Sequence, residues 1–396
     1  MTSKKILLSL LLLVFAIALK SQNYEESNVQ PYTLPELLKT ESGQVIGTAD
    51  EWMQIRRPEV LRLFEDNVYG QVPKSFDAIY FKKTREDKNV LNGKATVKEV
   101  DIIVTRNIKQ VTIHLLLFVP NKVKKPVPAF LVINHRGMET MDVTRGNKDD
   151  FWPVEQVIDA GYALAGFDVK DVAPDDKERF ADELLQKLYP DQLAMNNGMR
   201  ALGAWGWGAS RIIDYFETDP AVDAGKVVVV GHSRGGKAAL WCGAQDQRVA
   251  VAISNESGNS GAKISRRNFG ESVEAITKNF PYWFCKNYQQ YANNEDKLPV
   301  DQHMLIALQA PRGVYVSAAE EDRWADNKGQ YLSLIEAQPV FNLYGFNLNL
   351  PLQMPSVGNQ LFEIPMGFHI REGKHDMTLY DWQQFIRFAN TFFQKK

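Results

Sequence analysis

Residues 226–241 read Lys-Val-Val-Val-Val-Gly-His-Ser-Arg-Gly-Gly-Lys-Ala-Ala-Leu-Trp, and this stretch decides the fold. The four consecutive valines predict a strand that is buried on both faces. The Gly-x-Ser-x-Gly pattern that follows, from Gly231 to Gly235, predicts a sharp and strained turn, and the Ala-Ala-Leu-Trp run continues as a helix. A serine at such a strand–turn–helix junction presents its hydroxyl outward, so we predict that Ser233 is a nucleophile.

Strand and helix patterns alternate around this stretch, which indicates that the valine run belongs to a larger sheet. Strands are predicted at 126–133, 162–169, 249–254, 313–318 and 367–370, and helices at 151–160, 198–216 and 379–393. Upstream, the segments 78–82, 95–104 and 111–120 predict an antiparallel meander, and the charged connection 170–190 is expected at the surface. The class is therefore α/β. We predict an α/β-hydrolase fold, a three-layer sandwich with a mostly parallel central sheet and antiparallel N-terminal strands.

The first residues have the pattern of an export signal. Lys4 and Lys5 precede the apolar run 6–19, and Ser21 is a small residue near the expected cleavage point. We therefore predict a signal peptide over residues 1–22, a single catalytic domain over residues 23–396, and a secreted or periplasmic location. No later apolar run reaches the roughly 20 residues of a membrane span. The net charge of −2 gives no electrostatic reason to expect nucleic acid or an anionic membrane as a partner.

A nucleophilic serine needs a base, and α/β-hydrolases supply the serine, the acid and the His in that chain order. Of the six histidines, His303, His369 and His375 follow the serine. His375 lies in a polar loop between the last predicted strand and the last predicted helix, where this fold places its base. His369 alternates within the strand and is expected to pack there, and His303 opens a helix and is expected to be structural. We therefore predict that His375 is the base.

The acid that orients His375 has two candidate positions. Glu256 follows the predicted strand 249–254, whereas Glu320, Glu321 and Asp322 follow the predicted strand 313–318. Both loops leave the end of a strand in the central sheet, so either can point a carboxylate at the base. The residues alone leave the choice open.

With these residues assembled, the chain resembles the glucuronoyl esterases of carbohydrate esterase family 15, from about residue 126 to the C-terminal helix. An Arg directly after the nucleophile and a Lys four residues after it are rare in generic esterases. The motifs that carry the resemblance are Gly231-His232-Ser233-Arg234-Gly235-Gly236-Lys237, Asn255-Glu256-Ser257-Gly258, Ser-Arg-Arg-Asn-Phe-Gly-Glu at 265–271, Asp301-Gln302-His303-Met304, Trp324-Ala325-Asp326, and His375 ahead of Tyr380-Asp381-Trp382.

The resemblance implies a role for each site residue. It implies Ser233 as nucleophile, His375 as base and Glu256 as acid, with Glu320 ranked second because some members use the later loop. Arg234 would stabilise the oxyanion through its side chain as well as its backbone N–H. The residues expected to contact the glucuronoyl ring are Lys237, Glu271 and Trp324, with Glu274 as a weaker candidate.

The expected function is hydrolysis of 4-O-methyl-glucuronoyl esters that link glucuronoxylan to lignin alcohols. The expected partner is this polysaccharide ester, with no membrane after signal cleavage, and we expect a monomer. The alternatives are an acetylxylan esterase or another hydrolase on this fold, and a non-catalytic carbohydrate-binding protein, against which the complete triad argues. We predict no metal site and no cofactor, because the histidines are scattered and no phosphate-binding glycine motif occurs. Whether Cys242 and Cys285 are bonded stays open.

Overall fold

Ten strands form one sheet in the part of the chain that the computed structural model describes, residues 22–123 and 125–395. The predicted signal peptide, except for Gln22, lies outside these residues. The strands are β1 (Ala78–Asn89), β2 (Ala95–Arg106), β3 (Lys109–Pro120), β4 (Val127–Asn134), β5 (Ala163–Asp168), β6 (Val222–His232), β7 (Val249–Asn255), β8 (Gly313–Ala319), β9 (Gln360–Glu363) and β10 (Met366–Arg371).

The strand order is β1-β2-β3-β5-β4-β6-β7-β8-β10-β9. The six strands from β5 to β10 in this order pair in parallel, whereas β1, β2 and β3 pair antiparallel at one edge and β9 pairs antiparallel at the other. The predicted mostly parallel sheet with antiparallel N-terminal strands is therefore confirmed. Strand β9 was not predicted, and β1 continues well beyond the predicted segment 78–82.

The valine run of β6 shows why both faces of the sheet need cover. Val227 and Val229 pack into one hydrophobic core, whereas Val228 and Val230 pack into a second core on the opposite face. Successive strand side chains point to opposite faces, so an unbroken apolar run can only be buried between two layers of helices. This alternation places β6 at the centre of the three-layer sandwich.

Helices form the two outer layers. The α-helices of six or more residues in the described chain are α1 (Arg57–Phe64), α2 (Val154–Asp159), α3 (Ala201–Phe216), α4 (Arg234–Gln245), α5 (Val273–Asn279), α6 (Gln302–Ala307), α7 (Asn327–Leu343) and α8 (Leu379–Lys395). Aromatic residues of α8 and of the segment before α2 fill the second core, and α3 and α4 cover the first. None of the helices in the described residues is both long and apolar enough to cross a membrane.

The connection between β5 and α3 differs from its predicted place at the surface. Most of its apolar residues are buried, and Leu184, Leu185 and Leu188 lie on a short helix that packs into the first core. The charged residues that suggested a solvated loop therefore alternate with a buried apolar set. Cys242 and Cys285 are both buried free thiols.

Candidate active site

The turn after β6 carries Ser233 on strained backbone. Ser233 has φ +55° and ψ −124°, a conformation that non-glycine residues rarely adopt. The turn closes so tightly that a Cβ atom on Gly231 would lie 2.0 Å from the carbonyl oxygen of Gly235, so Gly231 must lack a side chain. The Ser233 amide donates to the carbonyl of Asn255 at 2.8 Å, which holds the turn against the end of β7.

Two carboxylates contact His375, which lies on the loop between β10 and α8. Its Nδ1 atom is 2.6 Å from Oδ2 of Asp322 and 3.2 Å from Oε2 of Glu256. Both carboxylates are buried, whereas 42% of the His375 side chain is exposed. Because Nδ1 faces the carboxylates, Nε2 is the ring nitrogen turned away from them.

The charges around His375 favour its protonated form. Burial disfavours the imidazolium, but the hydrogen bonds and charges of Asp322 and Glu256 outweigh it and raise the pKa of His375 to about 9. Burial raises the pKa of Glu256 to about 7, against the opposing effects of His375 and Arg371. The ring of His232 lies 4.5 Å from that of His375, and its pKa is well below the ordinary value because of burial and this neighbour.

Arg371, at the end of β10, forms hydrogen bonds both to Glu256 and to the loop that carries His375. Its Nη2 atom donates to Oε1 of Glu256 at 2.6 Å and to the backbone carbonyls of Lys374 and Asp376, on either side of His375. Glu256 itself has φ +47°, so its backbone is also in the left-handed region. Arg371 thus holds both the carboxylate of Glu256 and the loop that carries His375.

The other two histidines that follow Ser233 in the sequence, His303 and His369, are both buried and hydrogen-bonded within the fold. His369 is buried in β10, with Nε2 2.8 Å from Oδ1 of Asp381 and Nδ1 2.9 Å from the hydroxyl of Tyr315. The Nε2 atom of His303 lies 3.2 Å from the carbonyl oxygen of Pro35. Both imidazoles therefore satisfy buried polar groups of the fold.

Glu320, which the sequence ranks second as the acid, does not contact His375 in the structure. Its side chain is exposed, and its amide donates to the carbonyl of Arg371 at 2.9 Å. The loop after β8 presents Asp322 to His375 instead. Among the described residues, the carboxylates in contact with His375 are therefore Glu256 and Asp322.

Arg234, directly after the nucleophile, is held by a carboxylate and by aromatic rings. Its Nη1 atom lies 2.6 Å from Oδ2 of Asp175, and its guanidinium lies 4.7 Å from the ring centroid of Trp283. Asp175 also accepts hydrogen bonds from the Tyr282 hydroxyl at 2.7 Å and the Trp283 indole at 2.8 Å. The Arg234 side chain is 29% exposed, so part of its guanidinium is open to a ligand, whereas its Nε atom is buried and has no hydrogen-bond acceptor within the described chain.

Lys237 and Glu271 form a buried pair beside the first turns of α4. The Nζ atom of Lys237 is 3.5 Å from Oε2 of Glu271 and also donates to the carbonyls of Ser257 and Asn259. Burial lowers the pKa of Lys237, although the charge of Glu271 opposes this. Lys237 therefore supports the loop after β7 as well as facing Glu271.

Trp324 and Glu274 lie on more open surface next to this pair. The Trp324 residue is 39% exposed, and its carbonyl accepts the amide of Glu271 at 2.8 Å. Glu274 is exposed in the first turn of α5 and lines a cavity of about 310 Å³ together with Glu271. Trp324 can therefore present its ring to a ligand, whereas Glu274 lies further along the surface.

Sequence reasoning missed two charged residues of this site, Asp175 and Arg371. Asp175 lies in a charged run with Asp176 and Lys177 that reads as solvated loop, and its one signal is its place after the end of β5. Arg371 ends a buried strand, and a charged residue that is only 6% exposed needs a charged partner. Its place at the end of a buried strand is therefore the sequence signal that could have identified Arg371 as a residue of the site.

His232, Glu256 and His375 also bring three potential metal-ligating atoms within 4.8 Å of one another. Glu256 is already 2.6 Å from Arg371, and Nδ1 of His232 is 2.6 Å from the side-chain oxygen of Asn255. A guanidinium on the carboxylate disfavours a second cation beside it. The arrangement therefore suits acid–base chemistry better than metal binding.

Comparisons with known sequences identify the family of the chain. The family model described as "Glucuronyl esterase, fungi" matches residues 102–345, more than half of the chain. A carbohydrate esterase from an unknown prokaryotic organism is 38% identical over 398 residues, covering 93% of this chain and 91% of its own. A 4-O-methyl-glucuronoyl methylesterase from Schizophyllum commune is 26% identical over 321 residues, covering 79% of this chain and 74% of its own.

Solved structures give the same result. A glucuronoyl esterase from Solibacter usitatus superposes with a TM-score of 0.85 at 38% identity, covering 92% of this chain and 99% of that one. A promiscuous CE15 esterase from a marine bacterial metagenome superposes with a TM-score of 0.85 at 36% identity, covering 94% and 100%. These two likenesses extend over nearly the whole of each chain.

Proposed function

This chain belongs to the glucuronyl esterase family, carbohydrate esterase family 15, and we propose that it cleaves 4-O-methyl-glucuronoyl esters that link glucuronoxylan to lignin alcohols. It is a carboxylic-ester hydrolase.

The observation that carries the proposal is a continuous set of contacts from the nucleophile to the base. Lys237, one turn of helix after the nucleophile, pairs with Glu271 at 3.5 Å. The amide of Glu271 donates to the carbonyl of Trp324, and the loop of Trp324 also carries Asp322, which contacts the base. Polar groups and an exposed indole ring thus adjoin the reacting groups, which suits a sugar with hydroxyls and an apolar face.

In the first half-reaction, Nε2 of His375 takes the hydroxyl proton of Ser233 as Oγ attacks the ester carbonyl. The carbonyl oxygen becomes an oxyanion, which the exposed part of the Arg234 guanidinium and the first backbone N–H groups of α4 can stabilise. The intermediate then expels the alcohol, which takes its proton from His375. A glucuronoyl ester on Ser233 remains.

In the second half-reaction, His375 deprotonates a water molecule that attacks this ester. The bond to Oγ breaks, the proton returns to Ser233, and glucuronic acid leaves. Asp322 and Glu256 stabilise the imidazolium that forms in each half. The guanidinium of Arg234 lies 2.6 Å from Asp175, so its direction is set before substrate binds, which is the condition for stabilising a charge that develops only in the transition state.

Trp324 provides the test of the sugar specificity. We expect purified protein to hydrolyse benzyl glucuronate faster than acetylated xylan, and Trp324→Ala to raise the KM for benzyl glucuronate about 10-fold, because an indole face is lost from the sugar. Removal of an exposed ring should leave folding intact. Kinetics on benzyl glucuronate and on p-nitrophenyl acetate measure the effect.

The acetate ester is the control, because it has no sugar to contact the indole. Its kinetic constants should stay within about twofold of the wild type in Trp324→Ala. Equal losses on both substrates would contradict sugar binding by Trp324. Faster hydrolysis of acetylated xylan than of benzyl glucuronate would favour the acetylxylan esterase alternative.

Asp175→Asn tests whether Arg234 depends on its carboxylate partner. Asparagine keeps the size and an oxygen acceptor for Tyr282 or Trp283 but removes the charge, so we expect kcat on benzyl glucuronate to fall about 10-fold with a smaller change in KM. In an Arg234→Ala background the same change should cost less than about twofold, because the two residues act as one unit. Asp176→Asn, at an exposed neighbouring carboxylate, is the matched control. Additive losses in the double variant would oppose this coupling.

We also propose that residues 1–22 direct export and are removed, which suits an enzyme whose polymeric substrate lies outside the cell. The support is the order of basic, apolar and small residues at the start of the chain. Sequencing the N-terminus of the protein recovered from the culture medium or periplasm should find a first residue between Ser21 and Asn23. An intact residue 1 would exclude cleavage.

A further inference from the structure

Residues 23–30, here called the N-terminal strap, contact two loops that carry candidate sugar-binding residues. The first loop, residues 265–271, carries Glu271, and the second loop, residues 323–328, carries Trp324. The carbonyl of Asn23 accepts the amide of Gly270 at 2.8 Å, and its side chain donates to the carbonyl of Asn268 at 2.8 Å. The side-chain oxygen of Asn268 in turn accepts the amide of Gln30 at 3.0 Å. The strap is thus bonded to the residues directly before Glu271.

Aromatic and cationic contacts extend the strap to the second loop. The ring of Tyr24 meets that of Phe269 edge-on, with centroids 6.1 Å apart. The guanidinium of Arg323 lies 5.5 Å from the Tyr24 ring and 6.0 Å from the Phe269 ring, and it also donates to the carbonyl of Tyr24. Because Arg323 directly precedes Trp324, the strap holds both loops at once.

Glu26 supplies the charged part of this contact. Its two carboxylate oxygens accept from Arg267, one of them at 3.1 Å, and one also lies 2.6 Å from Nζ of Lys328. The side chain of Arg267 is only 3% exposed and pairs on its other side with Asp326 at 2.8 Å. The carboxylates of Glu26 and Asp326 together therefore neutralise the buried guanidinium of Arg267, which belongs to the first loop.

The strap also reaches the space next to the sugar-binding residues. Asn23 lines the cavity of about 310 Å³ whose wall includes Glu271 and Glu274. A change in the position of the strap would therefore alter both the support of Glu271 and the shape of the surface beside it.

We propose that Glu26 is a positioning residue that, through Arg267 and Lys328, holds Glu271 and Trp324 in place for the sugar. The inference rests on the proposed function, because it assumes that these loops contact a uronic acid ring. Loops that are ordered before binding do not have to be ordered by the ligand. The loss of Glu26 should therefore weaken substrate binding without changing the chemical step.

The experiment compares Glu26→Gln with Glu41→Gln in the full chain. Glu26 is half-exposed, so its removal leaves the core intact, and Glu41 is an exposed carboxylate that pairs with Arg62 at 3.2 Å far along the chain from the two loops. We expect Glu26→Gln to raise the KM for benzyl glucuronate about fivefold with kcat within twofold, and to leave p-nitrophenyl acetate kinetics unchanged. Glu26→Asp should recover part of the KM, and Glu41→Gln should match the wild type.

Hydrogen exchange separates this inference from the proposed function, because it needs no substrate. We expect amides in 265–271 and 323–328 to exchange faster in Glu26→Gln than in Glu41→Gln. Unchanged exchange in these segments overturns the inference, as does an unchanged KM or an equal loss on both esters. A further outcome is that the wild type fails to cleave benzyl glucuronate while amide exchange is faster in Glu26→Gln, as expected. In that case the proposed substrate is wrong, but the inference that Glu26 positions the two loops is supported.

Discussion

Ser233→Ala should lower kcat/KM on benzyl glucuronate by at least about 10⁴-fold, the largest effect expected in this protein. In the proposed mechanism, the hydroxyl oxygen of Ser233 forms the acyl bond. What remains would be catalysis by the N–H donors alone. Activity on p-nitrophenyl acetate should fall equally, because both esters use the same nucleophile. Initial-rate kinetics on the two esters measure the effect.

Two controls keep this prediction specific. Ser42→Ala removes the same hydroxyl from an exposed loop and should keep wild-type activity. The melting temperature of Ser233→Ala should stay close to that of the wild type, because the side chain is half-buried and alanine meets the same strained φ of +55°. A fluorophosphonate should label the wild-type protein and not the variant. Labelling of Ser233→Ala at another serine would mean that the nucleophile lies elsewhere.

The fold could be predicted from sequence where the pattern is long. The valines of β6 alternate between two cores, and an apolar run of this kind has one physical solution, a strand inside a covered sheet. The edge strand β9 gave no such signal. It contains four residues with mixed exposure, and its pairing depends on its hairpin with β10 rather than on its own pattern.

Within the site, too, the sequence does not predict the conformation of a short loop. The turn and the chain order single out Ser233 and His375 as candidates in the sequence. The sequence does not distinguish the carboxylates of the later loop, because residues 320–322 are all acidic and follow the end of β8. The amide of Glu320 bonds to the end of β10 and so extends the sheet, and the chain then turns with the amide of Asp322 on the carbonyl of Ala319. This turn decides which of the three carboxylates contacts His375.

Asp322→Asn and Glu256→Gln should each lower kcat about 10- to 100-fold, and the double variant about 10³- to 10⁴-fold. Each carboxylate contacts the same Nδ1 atom, so either one alone can orient the ring, and the loss of both leaves the imidazolium without a counter-charge. Asp322→Asn should cost more than Glu256→Gln, because its oxygen is 2.6 Å from Nδ1 against 3.2 Å. Glu320→Gln, on the same loop but exposed, should stay within about twofold of the wild type.

The pH dependence of kcat/KM gives a second readout of the same pair. The base acts only when neutral, so kcat/KM should rise with pH through the pKa of His375, which the two carboxylates raise to about 9. Removal of one negative charge destabilises the imidazolium and lowers that pKa, so the rising limb should move to lower pH in either single variant and furthest in the double variant. The maximum rate should fall at the same time, because the same charge stabilises the imidazolium of the transition state. A limb that stays in place in Asp322→Asn, or that moves in Glu320→Gln, would show that the acid has been assigned to the wrong carboxylate.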